Sequence, residues 1–387
     1  MPPEIWSSKR RWLFLAIDQL FAILVIAPLV IGFWRGTWSL LDIYITPEDP
    51  WRSHWITIGV GNCGLFLLAV FQDPLQRLHT NSKWKVVKMV MPRVYVYVGS
   101  LLSVCQWRGL WGGLDVFSGM TSSSYLHYGI AGQVFLWLFR SSKNIAGSPT
   151  QICVDTADDL YVCTSRFKVK RENRELYAWD QFFSSVVVWN ALVLVWRGLW
   201  GLMDKHLLPE DELQSAWASV GIGTLGVLVN LPLQIVANLL YTRTRSFMLR
   251  VLLEEGLAIL VSFATIQTWR GVWVIYDLQF LPDSYTLSCW LTHSIGMLLL
   301  MIGLCGSSNI GKGCSTSGDT EPFYGCLLDI EYFQYFFPKA AGRKMVREER
   351  NNNANQNGMS NKKNDILLED RVSSECEKEP QTERIVA

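Results

Sequence analysis

The sequence predicts an all-α, polytopic membrane protein in which eight transmembrane helices form two parallel four-helix repeats. Three observations lead to this fold class. Half of the 387 residues are hydrophobic and only 18% are charged, whereas about 25% are charged in an average soluble domain. Eight stretches are apolar and long enough to cross a bilayer, and one tryptophan-rich motif recurs four times along the chain.

The balance of charge bears on the class of partner. The net charge is +1, and nucleic-acid binders instead carry a concentrated basic face. We therefore expect no nucleic-acid partner and take the lipid bilayer as the main environment. The N-terminus is basic from Met1 to Arg11, but the apolar run that follows is too long for a signal peptide and lacks a small-residue cleavage site. We interpret it as a retained first span.

A helix needs about 20 mostly apolar residues to cross a bilayer. The eight predicted spans are Leu13–Arg35, Ser53–Phe71, Val86–Leu110, Tyr125–Arg140, Gln181–Leu202, Leu213–Leu240, Leu249–Val274 and Leu287–Cys305. They divide the chain into a cytoplasmic N-terminus (1–12), a first four-helix repeat (13–140), a cytoplasmic loop subdomain (141–180), a second four-helix repeat (181–306), a cytoplasmic juxtamembrane segment (307–338) and a disordered cytoplasmic tail (339–387).

The distribution of Lys and Arg predicts the orientation, because short cytoplasmic loops retain positive charge. Basic residues precede the first span and fill the loops after spans two, four and six, whereas the other loops are acidic. Both termini are therefore expected in the cytoplasm, with the four motifs on the extracellular or lumenal face. Each half holds an even number of spans, so the halves run in the same sense around an axis along the membrane normal.

The cytoplasmic segments carry further expectations. Gln151 to Lys170 is rich in Val, Tyr, Cys and Thr, which predicts a short hairpin. Only Cys289 among nine cysteines is placed outside by the predicted topology, so no structural disulfide is expected. Cys305 and Cys314 are candidate palmitoylation sites. The tail beyond Lys339 is charged and Asn-rich without an apolar period, which is typical of disorder.

The recurring motif is Trp-Arg-Gly-x-Trp followed by an Asp eight positions after the first Trp. The copies are Trp34, Arg35, Gly36, Trp38 and Asp42; Trp107, Arg108, Gly109, Trp111 and Asp115; Trp196, Arg197, Gly198, Trp200 and Asp204; and Trp269, Arg270, Gly271, Trp273 and Asp277. Copies one and three are 162 residues apart, and so are copies two and four. A duplicated half-chain with two copies in each half explains this spacing.

Two interpretations of the motif compete. Trp at the end of an apolar helix belongs at the headgroup level, and Arg beside it can snorkel or pair with an acid. The Asp either shares a helix face with its own Arg or, if Gly breaks the helix, meets the Arg of a neighbouring repeat. We therefore expect an anchoring and packing role that locks each of four helical hairpins. The alternative is a ring of sites for a ligand or partner outside the cell.

Two other patterns lie within the spans. Gly59-x-Gly61-x-x-Gly64 and its copy at Gly221 resemble a dinucleotide fingerprint in spelling, but inside apolar spans such glycines favour close helix packing. Arg93, Glu254 and Glu255 are candidate membrane-embedded charges near the inner end of odd spans. They are either interfacial residues in contact with water, a buried Arg93–Glu255 pair, or an acidic site in a central cavity.

No pattern predicts catalysis. The sequence shows no Ser-His-Asp or carboxylate arrangement at a defensible catalytic spacing and no zinc-ligand spacing. We therefore expect no catalytic residues, no cofactor-binding residues, no metal ligands and no enzymatic activity.

The eight spans, the cytoplasmic termini and the Trp-Arg-Gly-x-Trp hairpins across Leu13–Cys305 resemble the fuseless family of insect eight-pass membrane proteins. This resemblance implies a presynaptic plasma-membrane protein that helps to localise voltage-gated calcium channels and supports vesicle release. A membrane scaffold is thus the expected function. A secondary transporter or channel with a site between the two halves is the alternative, favoured by the duplication.

Overall fold

The computed structural model describes residues 9–155, 161, 163–311 and 332–337. The chain divides into two compact units, one of Met1–Phe14 with Phe333–Ala387 and one of Leu15–Tyr332. No strand occurs in these described ranges, so the predicted all-α class agrees with the structure. The predicted tail and Cys314 lie outside the described residues.

The helices are α1 (Lys9–Phe21), α2 (Ala27–Tyr44), α3 (Pro50–Val70), α4 (Gln72–Asn81), α5 (Lys85–Ser118), α6 (Ser122–Leu138), α7 (Arg174–Phe182), α8 (Trp189–His206), α9 (Glu212–Arg243), α10 (Phe247–Gln279), α11 (Tyr285–Leu298) and α12 (Tyr332–Phe336). Turns of π-helix at Ala22–Ile26 and Phe183–Val188 join α1 to α2 and α7 to α8. A third π-helical turn, Leu299–Gly303, extends α11.

Six helical segments are long and apolar enough to cross a membrane: Leu13–Tyr44, Pro50–Val70, Lys85–Ser118, Arg174–His206, Glu212–Arg243 and Pro282–Gly303. These six overlap predicted spans one, two, three, five, six and eight. The predicted fourth and seventh spans correspond to α6 and α10, which do not belong to this set. Apolar helices of this length are consistent with a polytopic membrane protein.

The motifs do not end their helices as expected. Each Trp-Arg-Gly-x-Trp lies inside a helix that continues through the motif Asp, since α2 reaches Tyr44 and α5 reaches Ser118. The motif Gly therefore does not break the helix. Because the helix continues, the two Trp of a motif, four residues apart, lie on one side of the helix. The Asp, four residues further on, lies on the same side.

Four helices surround the centre of the bundle, and four others pack outside them. The central helices are α2, α5, α8 and α10, and each contacts the next around a closed ring. On their outside, α3 packs on α5, α6 on α8 and α9 on α10, whereas α11 packs on α2. Each outer helix thus pairs most closely with the central helix that follows it, and α11 returns to the start of the chain.

Two expectations for the connecting segments are wrong. The helix α4 occupies what was assigned to a loop. Cys163 is disulfide-bonded, which contradicts the expected absence of a disulfide.

The hairpin predicted for Gln151 to Lys170 falls partly on residues 156–160 and 162, which lie outside the described residues. In the described part of this segment, Ser165 Oγ, Phe167 N and Val169 N donate hydrogen bonds to the carboxylate of Asp180.

Candidate functional site

The first Trp of each motif points to the centre of the bundle. Trp34, Trp107, Trp196 and Trp269 form the first square, with neighbouring ring centroids 5.2–5.6 Å apart and planes 77–84° apart. Edge-to-face contact is the favourable geometry for aromatic pairs. All four indoles are buried. Each packs edge to face against two other indoles of the square, and these contacts determine where it points.

The second Trp of each motif repeats this arrangement one helical turn along. Trp38, Trp111, Trp200 and Trp273 form the second square, with centroids 5.7–5.9 Å apart and planes 88–90° apart. These rings are half-buried. The spacing of four residues between the two Trp of a motif stacks the squares, because residues i and i+4 lie on one helix face.

Two cavities lie along the central axis. One, of about 190 Å³, is lined among the described residues by the eight Trp of the two squares alone; we call it the aromatic chamber. The other, of about 250 Å³, is lined by the first square, Trp189 and two loop segments, 144–153 and 308–311. No charged side chain in the part of the chain that the structure describes lines either cavity.

Those two loop segments close the end of the axis below the first square. Trp196 Nε1 donates to Ile145 O at 3.1 Å, Trp269 Nε1 donates to Ser148 O at 2.7 Å, and Trp34 Nε1 donates to Ile310 O. The sequence contains a repeat that marks this end of the axis. Ser142-Lys143-Asn144-Ile145 is echoed by Ser307-Ser308-Asn309-Ile310, and both form 3₁₀ turns.

One indole N–H group of the first square makes no such contact. Trp107 Nε1 has no hydrogen-bond partner within the described ranges, and the residue is 8% exposed. A buried N–H without a partner costs about 1–3 kcal/mol. The Trp107 ring lines both cavities.

Asp155 holds the two loop segments together. Its carboxylate accepts hydrogen bonds from Ser307 N at 2.9 Å, Ser307 Oγ at 2.6 Å and Ser308 N at 2.8 Å. Cys153 N donates to Asn309 Oδ1 at 2.7 Å in the same place. Segments about 150 residues apart in sequence therefore form one closed end, because charge-assisted hydrogen bonds to a carboxylate are strong.

At the opposite end of the axis, each motif Arg pairs with the Asp of the preceding motif rather than with its own. The pairs are Arg35–Asp277 at 2.8 Å, Arg108–Asp42 at 2.7 Å, Arg197–Asp115 at 2.8 Å and Arg270–Asp204 at 2.7 Å. The four pairs close a ring that links every central helix to the next. Of the two pairings that the sequence left open, the structure has the one between neighbouring motifs.

The Arg side chains are buried and the Asp side chains are partly exposed. Arg35 and Arg197 are fully buried, whereas the Asp side chains are 23–50% exposed. A buried guanidinium requires both a counter-charge and hydrogen-bond acceptors. The Asp supplies the charge, and the outer helices supply further acceptors.

Those acceptors are serines near the start of each outer helix. They are Ser53 with Arg108, Ser124 with Arg197, Ser215 with Arg270 and Ser288 with Arg35. The sequence analysis missed these residues. A signal was available, because Ser53 and Ser215 obey the 162-residue shift of the motifs.

Each motif Gly lets an outer helix approach its central helix. A Cβ on Gly36, Gly109, Gly198 or Gly271 would lie under 3.0 Å from backbone atoms of α11, α3, α6 and α9, respectively. Close approach also explains Gly61, Gly64, Gly223 and Gly226, which lie against residues of α5 or α10. These contacts agree with the packing interpretation of the Gly-x-Gly-x-x-Gly stretches.

The candidate membrane-embedded charges are not arranged as a pair of Arg93 with Glu255. Arg93 is exposed and donates to Met89 O on its own helix. Arg140 Nη2 instead contacts Glu254 Oε2 at 2.7 Å. Glu254 and Glu255 are buried. Arg140 follows α6, which ends at Leu138, and supplies the counter-charge of Glu254.

The described part of the chain contains no group of three His, Cys, Asp or Glu side chains that could hold a metal ion. The distinctive chemistry is therefore that of the two Trp squares and the Arg–Asp ring. Both sets of residues recur at one spacing through the chain, and together they occupy one axis.

Comparison with curated proteins and with solved structures finds no match. The family model described as Fuseless matches residues 13–310, which include all four motifs, both Trp squares and the residues of the Arg–Asp ring. This range covers well over half of the sequence and confirms the resemblance deduced from its layout. The chain belongs to the Fuseless family.

Proposed function

We propose that this protein is a multipass membrane organiser of the plasma membrane, with eight spans arranged as two parallel four-helix repeats and both termini in the cytoplasm. By family resemblance, it supports the localisation of voltage-gated calcium channels at the presynaptic membrane and the release of synaptic vesicles. The proposal includes no catalytic activity, since the sequence contains no catalytic constellation.

The observation that carries the proposal is the closure of the central axis. Two Trp squares narrow it, and the loop segments at its end are hydrogen-bonded to Trp34, Trp196 and Trp269. Transporters usually place ionisable groups or broken helices at a central site, whereas the described residues that line the two axial cavities carry no charge. A bundle whose central helices are linked by Arg–Asp pairs suits a protein that positions other membrane proteins.

The partner surface is proposed on the loop side of the bundle. Lys168, Lys170 and Arg174 are exposed there, and they lie outside the Arg–Asp ring and the Trp squares. A basic surface of this kind attracts acidic protein segments, and such rim charges mainly control association rate and specificity.

Neutralising this surface tests the organiser function. In cells, Lys168→Gln with Lys170→Gln and Arg174→Gln should abolish calcium-channel clustering while surface expression stays normal, because these exposed side chains support no buried contact. Glu48→Gln with Glu210→Gln, at the Asp end, is the matched control and should cluster channels normally. Normal clustering in the triple variant, or equal loss in the control, contradicts the proposed surface.

Topology is tested by single cysteine replacements and an impermeant label on intact cells. Cysteines at Glu48, Met120 and Glu210 should react, and those at Ser82, Lys170 and Arg243 should not. The unaltered chain, with exposed Cys63, Cys153 and Cys305, provides the background. The disulfide of Cys163 is the observation that favours the opposite orientation, because disulfides persist in oxidising compartments. Reversed labelling would overturn the proposed topology.

A transporter is the second candidate, favoured by the two cavities on the axis between the halves. Purified protein in liposomes distinguishes the candidates. An organiser gives no solute flux or current above that of empty liposomes. Flux that is lost when Trp200 is replaced by Leu, but kept in Trp217→Leu at an exposed position outside the chamber, would favour transport.

A further inference from the structure

The lining of the aromatic chamber is chemically suited to binding a cation. Its lining consists of eight indole rings, and indole faces carry negative electrostatic potential that attracts ammonium groups. The eight-Trp lining contains no positively charged side chain that would compete for these faces. The sequence analysis considered the motif Trp only as anchors or as contacts for an external partner.

The dimensions of the chamber select a slender ligand. Neighbouring centroids of the first square are 5.2–5.6 Å apart, so opposite rings are about 7.6 Å apart and the thickness of a ring leaves roughly 4 Å. An unbranched alkyl chain or a primary ammonium group fits that gap, whereas a bulky quaternary ammonium does not. The long axis of the ligand therefore follows the axis of the bundle.

A second, independent observation concerns the polar end of the ligand. Three of the four indole N–H groups in the first square donate to backbone carbonyls of the loop segments. The fourth, Trp107 Nε1, is buried and has no hydrogen-bond partner among the described residues. A ligand with an acceptor oxygen would satisfy this donor, and an ammonium group, which only donates, would not.

The chamber also has an approach from solvent. An open cleft of about 450 Å³ shares Trp200 and Trp273 with the chamber and is lined by Asp204 and Asp277. These carboxylates are 45% and 33% exposed. Both carboxylates are paired with a motif Arg, and Lys205 and Arg270 also line the cleft. The cleft therefore provides access to the chamber, and the attraction for a cation comes from the indole rings.

We propose that the aromatic chamber binds a slender primary ammonium compound that carries one acceptor oxygen. The ammonium group lies against the indole faces of the squares, and the oxygen accepts a hydrogen bond from Trp107 Nε1. This binding site goes beyond the organiser function and does not depend on it.

Three probes of equal length test the two halves of the proposal by calorimetry on the purified full-length protein in nanodiscs near pH 7. The amino alcohol 4-aminobutan-1-ol has both groups, pentylamine lacks the oxygen, and pentan-1-ol lacks the ammonium. We expect the amino alcohol to bind about three- to tenfold more tightly than pentylamine, the usual worth of one hydrogen bond. Pentan-1-ol should bind more weakly than both amines, because it gains no cation–π attraction.

Two variants assign the interactions to their residues. Trp107→Phe keeps an aromatic ring but removes the N–H, so affinity for the amino alcohol should fall to that of pentylamine while pentylamine binding changes little. Trp200→Leu removes one indole face and should weaken both amines severalfold without weakening pentan-1-ol. Trp217→Leu, at an exposed position outside the chamber, should leave all three affinities unchanged.

The result that overturns the proposal is equally specific. Absence of binding by the amino alcohol, equal affinity for pentan-1-ol, or an equal loss of both amines in Trp107→Phe each contradicts it. If Trp200→Leu fails to fold, Trp200→Phe preserves most of the packing and should still weaken the amines, because a benzene face attracts cations less than indole. Unchanged amine affinities in Trp200→Phe would then refute the cation site.

Discussion

The Arg–Asp ring makes a prediction that distinguishes pairing between motifs from pairing within one motif. Arg197 is fully buried, and its Nε and Nη2 each lie 2.8 Å from Asp115 Oδ1. Asp204, the acid of its own motif, is paired with Arg270. The relevant perturbation is a double-mutant cycle of Arg197→Gln with Asp115→Asn, compared with a cycle of Arg197→Gln with Asp204→Asn.

The expected magnitude follows from burial. Removing one partner of a buried ion pair leaves an uncompensated charge and costs about 3–5 kcal/mol. Asp115 is 23% exposed, so we expect the lower end of this range for Asp115→Asn. The double variant should recover much of that loss, which gives a coupling free energy of about 2–3 kcal/mol. The cycle through Asp204 should couple by less than about 0.5 kcal/mol, because the cost of stranding Arg270 is already contained in the single variant Asp204→Asn and cancels.

The assay is reversible unfolding in mixed micelles, monitored by far-ultraviolet circular dichroism, with surface expression in cells as a second readout. Single variants at either partner should also lower expression. Equal coupling to Asp115 and Asp204 would refute the pairing between motifs, as would a larger coupling to Asp204. A coupling near zero for both would show that the ring does not stabilise the bundle.

Two further predictions concern single side chains in the bundle. Trp269→Phe removes a hydrogen bond of 2.7 Å to Ser148 O and should destabilise the protein by about 1 kcal/mol in the same unfolding assay. Trp107→Phe removes an N–H group that has no partner among the described residues, so this variant should be equally stable or more stable. The opposite order would contradict the hydrogen-bond assignment at the first square. On α10, Gly271→Ala places a Cβ 2.6 Å from the backbone oxygen of Ala216 in α9 and should destabilise the protein by about 1–3 kcal/mol. The control Gly256→Ala meets open space and should stabilise the helix by about 0.5–1 kcal/mol. Equal melting temperatures for the two variants would argue against close helix approach at the motif.

Much of the helical framework could be predicted from sequence. Helices were expected where the apolar stretches lie, and the prediction of close packing at Gly61 and Gly223 agrees with the structure. Hydropathy and small-residue spacing are local properties, so they survive in any tertiary arrangement. The short helix α4 was missed because its segment lacks the long apolar period on which span prediction depends.

The candidate site was only half predictable. The motif identified the Trp, Arg and Asp residues, but Trp suits both a lipid interface and a packed aromatic core, so the sequence favoured anchoring. The partner of each Arg also stayed open, because a seven-residue spacing from Arg to Asp is compatible with one helix face as well as with a neighbouring helix. The contribution of Arg140 to Glu254 was not foreseen, since those residues are 114 positions apart.

By itself, the sequence determined an apolar helical chain of the Fuseless family with one motif repeated at a constant shift. Only the tertiary structure decided that the four copies share one axis, that each Arg takes the Asp of the preceding motif, and that α11 returns to pack on α2. The reason is physical. Composition and periodicity determine which residues can be buried, whereas the direction in which a helix faces depends on neighbours that are distant in sequence.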